Sequence, residues 1–346
     1  MSSVQLVVGG VAYAGWKEIS ISRSLDMGAD SFDLTLTDRW SEEMQRRPVR
    51  LGEPCQVLID GEKVITGYID RVRPDYDATR RSLSVSGRSK VADLVDCSPF
   101  YDDTAFADQF ADQTLGDLAR KLCQGFNIKV IEEVATKRIA LAAVHPGEPV
   151  FEFLERYARA QAVRLTDDAD GNLVITRASS QRITTALKYR ENIKEASGEF
   201  SLRDRFSQYL IVGQHAGNDD DNGESAAHVS GRAEDVGMRY RPTTVIAETS
   251  IDLDEAKRRA EWQRNVAYGR SWQVTYTVNG WRHADGLWEP NRLVQVTDPW
   301  MGIDGEWLMI GTVEFVMDDR GQRTLLTVMP KEAYDLIPLP EEDVVT

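Results

Sequence analysis

A mainly β fold interrupted by a small α+β insertion is what three features of this sequence predict. Residues alternate apolar and polar through roughly the first ninety positions, the period changes to helical after Cys97, and alternation returns toward the C-terminus. In SFDLTLTDRW, Phe32, Leu34 and Leu36 fall on one face and Asp33, Thr35 and Thr37 on the other, which is a strand with one buried side. Val57 and Ile59 run into Asp60 and Gly61, a pair suited to positive φ, and Val64 and Ile65 return, so a hairpin is expected. Further alternation at Tyr68–Val72 and Leu83–Val85 supplies enough strands for a small sandwich or barrel.

After Cys97, Thr114 is placed to cap a helix whose stripe is Leu115, Leu118, Ala119 and Leu122, with Gly125 to end it. A second helix opens with Pro149 in its first turn and carries Phe151, Leu154, Tyr157 and Ala158. A hairpin follows, with Val163 and Leu165 facing Leu173 and Ile175 across Asp170, Gly171 and Asn172. Strands resume at Ser201–Gln214. The acidic stretch Asn218–Glu224 has too little apolar surface to pack, so a mobile excursion is expected over about 215–237. Asp252–Tyr268, acidic early and basic late, reads as one amphipathic helix.

Composition closes several routes. At 346 residues the chain exceeds the usual single domain, and its hydrophobic (42%) and charged (28%) fractions are those of a globular protein. No apolar run approaches the roughly 18–20 residues of a membrane span, and Val4–Gly15 lacks the basic start of a signal peptide. Cys55, Cys97 and Cys123 are odd in number and far apart, which fits buried thiols better than a disulfide framework or a zinc site. A net charge of -15 disfavours a grip on nucleic acid.

The two β-rich ends resemble each other. Glu53 and Pro54, Val57 and Ile59, Ile65–Ile69, an acidic turn, Arg81–Val85 and Lys90 recur in order as Glu289 and Pro290, Val294 and Val296, Met309–Val313, an acidic turn, Arg323–Val328 and Lys331. A duplicated domain has a geometric use: three such chains in a closed ring present six similar units, joining a threefold partner to a sixfold one.

The segments GEPVFEFLERYARAQAVRLTDDADGNLVITR, RFSQYLIVGQ and DGLWEPNRLVQVTDP resemble the baseplate hub proteins of Mu-like contractile-tailed phages, and the hub part of VgrG spikes of type VI secretion. The resemblance runs over nearly the whole chain. It implies a homotrimeric ring with two tube-like β-barrel domains per chain, 1–97 and 181–346, and an inserted α/β domain, 98–180. Such a hub sits in the virion, at the tail baseplate, after assembly in the host cytoplasm. Its partners are a central spike protein, the tail tube or a tube initiator, the tape-measure protein and wedge or sheath-proximal proteins. DNA passes through its channel without specific binding, as an acidic lumen would allow. No long C-terminal β-helix is present, so the spike is a separate protein, and no lysozyme-like insertion is evident.

No catalytic, metal or cofactor residues are assigned. Acids such as Asp102 and Asp103 are abundant, but glycosidic hydrolysis needs two at fixed separation across a cleft. His145, His215, His228 and His283 have no ligand spacing; Asn218, Asp220, Asn222 and Gly223 imitate a calcium loop, but Val229 stands where its bidentate Glu belongs. Arg80, Arg81, Arg88 and Lys90 are the densest basic stretch, read as solvated or bridging between subunits. Six of eight tryptophans, Trp262, Trp272, Trp281, Trp288, Trp300 and Trp307, crowd the last hundred residues. Trp281 and Trp288, in a turn-rich segment, are the candidate interface residues. The alternatives are a cell-wall hydrolase and a receptor- or sugar-binding tail protein.

Overall fold

The structure is a computed structural model that describes residues 2–37, 49–77, 81–99, 109–161, 163–213, 229–247 and 251–334. The first end contains β1 (Val4–Val8), β2 (Val11–Tyr13), β3 (Glu18–Ser24), β4 (Ser31–Thr37), β5 (Pro54–Ile59), β6 (Glu62–Tyr76) and β7 (Arg81–Ser89), then the short helix α1 (Ala92–Asp96). The middle contains β8 (Gln109–Gln113), α2 (Leu115–Cys123), β9 (Val130–Glu132), β10 (Ile139–Ala143), α3 (Val150–Ala160), β11 (Arg164–Asp167) and β12 (Leu173–Thr176). Beyond it come β13 (Leu187–Lys188), β14 (Ile193–Phe200), β15 (Gln208–Gly213), β16 (Val229–Glu234), β17 (Pro242–Ile246) and α4 (Leu253–Arg270). The last strands are β18 (Trp272–Asn279), β19 (Arg282–His283), β20 (Gly286–Leu287), β21 (Arg292–Asp298), β22 (Ile303–Asp318) and β23 (Gly321–Pro330).

Both ends belong to one 13-stranded sheet, ordered β14-β18-β23-β22-β3-β4-β7-β6-β5-β1-β2, with β21 also on β22 and β13 on β21. Sharp turns hold its hairpins: Asp60 and Gly61 both take left-handed φ, 51° and 84°, as a two-residue connection with matching twist requires. Two closed barrels were the expectation, and no closed barrel is found among the described residues. The reason lies in β22, whose 16 residues pair with β21 through the first half and with β3 of the other end through the second, Phe315 opposite Ile21. One core therefore draws on both ends, Ile21, Phe32 and Val57 joining Tyr276, Val294 and Phe315.

The likeness of the ends is topological. Strands β5-β6-β7-β4-β3 lie side by side in one end, and β21-β22-β23-β18-β14 in the same order in the other. Each long strand carries two register shifts six residues apart, at Val64 and Asp70 in β6 and at Gly305 and Gly311 in β22. Asp70 thus matches Gly311, three residues from the match the sequence suggested between Gly67 and Gly311. The outermost strands differ: β1 is antiparallel to β5, whereas β13 is parallel to β21.

The middle module has its own core, built around Leu115, Leu118, Phe153, Leu154 and Ile175. Thr114 caps α2 through a reciprocal bond with Asp117, and Pro149 is the cap of α3. A 3-10 turn ending at left-handed Asn127 stops α2, in place of Gly125. A second small unit stands between β14 and β18, where β15, β16 and β17 form a three-stranded sheet under α4. Gly231 is required there, since a Cβ on it would lie 2.1 Å from the Ala256 carbonyl carbon of α4. The expected excursion to residue 237 is corrected accordingly: Val229–Glu234 is a strand with alternate residues buried, paired with β15. Residues 214–228, with His215, His228 and the calcium-like segment, and the pair Asp102 and Asp103, lie outside the described residues.

Candidate functional site, an assembly surface

The structure places Trp281 and Trp288 in the core, 1% and 2% exposed. The Trp281 indole donates to the carbonyls of Arg323 (3.0 Å) and Val316 (3.2 Å) and meets Phe315 edge-on, while Trp288 packs on His283. Their role as interface residues is corrected: the surrounding turns fold the short hairpin β19-β20 so that both rings face inward. Arg88, from the basic stretch, is committed within its own chain, 2.6 Å from both Asp70 and Asp96.

Apolar surface for a partner lies elsewhere. Tyr76 is 85% exposed at the end of β6, Phe200 58% at the end of β14, and Trp300 81% in a turn. Two sheet edges go with the first two. Past Ile69, β6 pairs only with β7, and β14 pairs only with β18, among the described residues. Such edges offer rows of unused main-chain donors and acceptors. The signal was present in the sequence as alternation continuing along strands that no described residue pairs with on the outer side: Val72, Pro74 and Tyr76 between Arg71, Arg73 and Asp75, and Ala196, Gly198 and Phe200 between Glu195, Ser197 and Glu199.

A buried ionic junction ties the sheet to the middle module. Arg23 Nε lies 2.9 Å from Asp30 Oδ2, Ser24 N donates to Asp30 Oδ1 (3.2 Å), and Asp30 N donates to Asp167 Oδ2 (3.0 Å) at the end of β11. Burial and the nearby Asp167 carboxylate, opposed by Arg23, push the Asp30 carboxyl up to about 8; burial raises Asp167 also. The folded chain thus holds a proton that the unfolded chain, with an ordinary carboxylate near about 4, releases. Stability from this group is present at low pH and is lost as pH rises from about 4 toward about 8, by at most about 1.4 kcal/mol per pH unit. Asp30→Asn should flatten that slope in urea melts at pH 5, 6.5 and 8; an unchanged slope would remove Asp30 from the account.

Beside the junction is an open cleft of about 620 Å³, lined by His283 and by both signs of charge, among them Lys63, Glu133, Asp168, Arg182 and Asp285. His283 receives the Asp285 amide on Nδ1 and lies 3.1 Å from the Leu287 carbonyl through Nε2, which makes it a neutral ring with its proton on Nε2; burial lowers its pKa. Burial raises the Cys55 and Cys123 thiols to about 12, so neither is a nucleophile near neutral pH. Among the described residues no group of three or more His, Cys, Asp or Glu is placed to hold a metal ion. No helix among them is long and apolar enough to cross a membrane. What the arrangement offers is pairing surface.

Comparison with known proteins agrees with the sheet and its inserted modules. Residues 3–89 match the N-terminal domain of Mu phage baseplate assembly protein GpP-like proteins, 91–177 the second domain of baseplate hub protein gp44-like proteins, and 252–337 the fourth domain of Mu phage baseplate assembly protein GpP. The 43 kDa tail protein of prophage MuSo2 from Shewanella oneidensis has the same fold, with a TM-score of 0.84 at 37% identity over 97% of this chain and 100% of that one. A tail protein from Neisseria meningitidis MC58 superposes with a TM-score of 0.82 at 27% identity, over 96% and 98%. An Escherichia coli type VI secretion component shares the fold alone, at 0.55 and 11% identity over 96% and 79%. The fold is that of a phage-tail baseplate protein. More narrowly, the chain belongs to the Mu-like baseplate hub family: it is 31% identical to baseplate hub protein gp44 of Escherichia phage Mu, over 99% of this chain and 91% of that protein.

Proposed function

We propose that three copies of this hub close into a ring that adapts a threefold central spike to the sixfold tail tube. The observation that carries the reading is the duplicated sheet motif, which makes each chain two of six similar units. In this reading residues 1–97 and 181–346 supply the tube-like walls once neighbouring chains extend the sheet into a barrel, and residues 98–180 form an outer module. The partners are the spike protein, the tail tube or its initiator, and wedge or sheath-proximal proteins. The ring encloses the channel for the tape measure and for DNA, which a chain of net charge -15 repels from its walls. The hub is assembled in the host cytoplasm and has no catalytic role; its named relatives are baseplate and tail proteins.

Light scattering over a range of concentrations and at two salt levels tests it. The expected mass is three times the 38.9 kDa of the chain, at low concentration as well as high. A chain that stays monomeric throughout, and does not trimerise when purified with its spike protein, would defeat the reading.

A further inference from the structure

Within the chain, the outer half of β22 pairs with β3 so that Val313 faces Arg23, Phe315 faces Ile21 and Met317 faces Ile19. The duplication gives both strands a counterpart whose matching edge is unpaired among the described residues. Asp70–Tyr76 of β6 stands where Gly311–Met317 of β22 stands, each following the same register shift against its hairpin partner. Glu195–Phe200 of β14 stands where Glu18–Arg23 of β3 stands, as the ladders through β18 and β4 set it. The internal junction buries Phe315 and Ile21 completely. Its two counterparts leave Tyr76 and Phe200 in water.

Resting on the ring reading, we propose that these open edges are the contact between copies: β14 of one chain adds antiparallel to the outer half of β6 of the next, repeating the β22-β3 junction. Transferring the internal register sets Val72 opposite Phe200, Pro74 opposite Gly198 and Tyr76 opposite Ala196 on the core side. On the other side Arg73 falls opposite Glu199 and Asp75 opposite Ser197. Apolar meets apolar and a cation meets an anion in this phase; a slip by one residue would set Arg73 against Phe200 or Gly198. In the internal junction the Gly311 carbonyl accepts from Leu25 N (2.9 Å), so by alternation Phe315, and Pro74 in its place, direct the main-chain nitrogen outward. Pro74 has no N–H, which suits an edge and leaves this junction one bond short of its internal model. Three chains joined this way have six junctions, three within chains and three between.

The test is the full chain carrying Arg73→Cys and Glu199→Cys, with the exposed Cys97 changed to Ser and the buried Cys55 and Cys123 kept. Facing residues of a non-hydrogen-bonded antiparallel pair have Cα atoms about 4.5 Å apart, within disulfide reach. Under mild oxidation the double variant should run on a non-reducing gel as covalent dimer and trimer with nothing larger, and neither single variant should do so. As a second measurement, Arg73→Glu or Glu199→Arg alone should weaken trimerisation at least tenfold, and the two together should restore it. A trimer by light scattering that neither cross-links nor responds to the charge exchange overturns this interface and leaves the ring standing. A chain monomeric at every concentration, alone and with its spike, overturns both.

Discussion

Trp281→Ala is expected to cost about 3–5 kcal/mol of folding stability, read as a fall in denaturation midpoint at unchanged slope. The indole is 1% exposed, so its removal opens a large cavity between β18 and the β22-β23 hairpin, beside Phe315. It also removes the Nε1–H shared by the carbonyls of Val316 and Arg323, which face each other in the β22-β23 ladder. Trp281→Phe keeps most of the volume and loses the donor, and should cost well under half as much. A loss below about 1 kcal/mol for the alanine variant would mean that the ring is not packed as described.

The second large effect is expected in the middle module. Glu148 and Arg156 face each other with both side chains 7% exposed; Arg156 Nη2 is 2.7 Å from Oε2 and Nε 3.0 Å from Oε1. The same carboxylate receives the His145 amide, and Arg156 also reaches the Ala143 carbonyl. Glu148→Ala leaves the guanidinium buried without its anion, for which about 3–5 kcal/mol is the expected cost. Glu148→Gln keeps an acceptor and should cost less. Because this module has a core of its own, its loss should appear as an early transition, seen by amide exchange over 109–177 before the sheet opens. A single unshifted transition would contradict this.

Local features of the fold were legible because they are written in adjacent residues. The hairpin at Asp60 and Gly61, the cap at Thr114 and the apolar stripe of α2 each depend on a few neighbours. Pairing partners were not legible, since alternation fixes which face of a strand is buried and not which strand lies beside it. Nothing around Ile21 names Phe315. The β15-β16-β17 sheet was missed for that reason too, one of its pairs being parallel and joining distant segments. The tryptophans misled because turn residues beside Trp281 suggested exposure, whereas those turns are what fold the rings inward. The duplication was readable in order but off in phase, because the shift at Gly311 is matched by Asp70, a residue with no glycine signature.

The pairing of β3 with β22 also sets a timetable for synthesis. Ile19 leaves the ribosome roughly 300 residues before Met317, its partner in the ladder. At about 5–20 residues per second, the edge of β3 waits about 15–60 s for the strand that will cover it. Through that interval the nascent chain shows a sticky edge to its neighbours on the same message. A chaperone that holds the emerging N-terminal end should therefore raise the yield of folded hub more than one that acts after release.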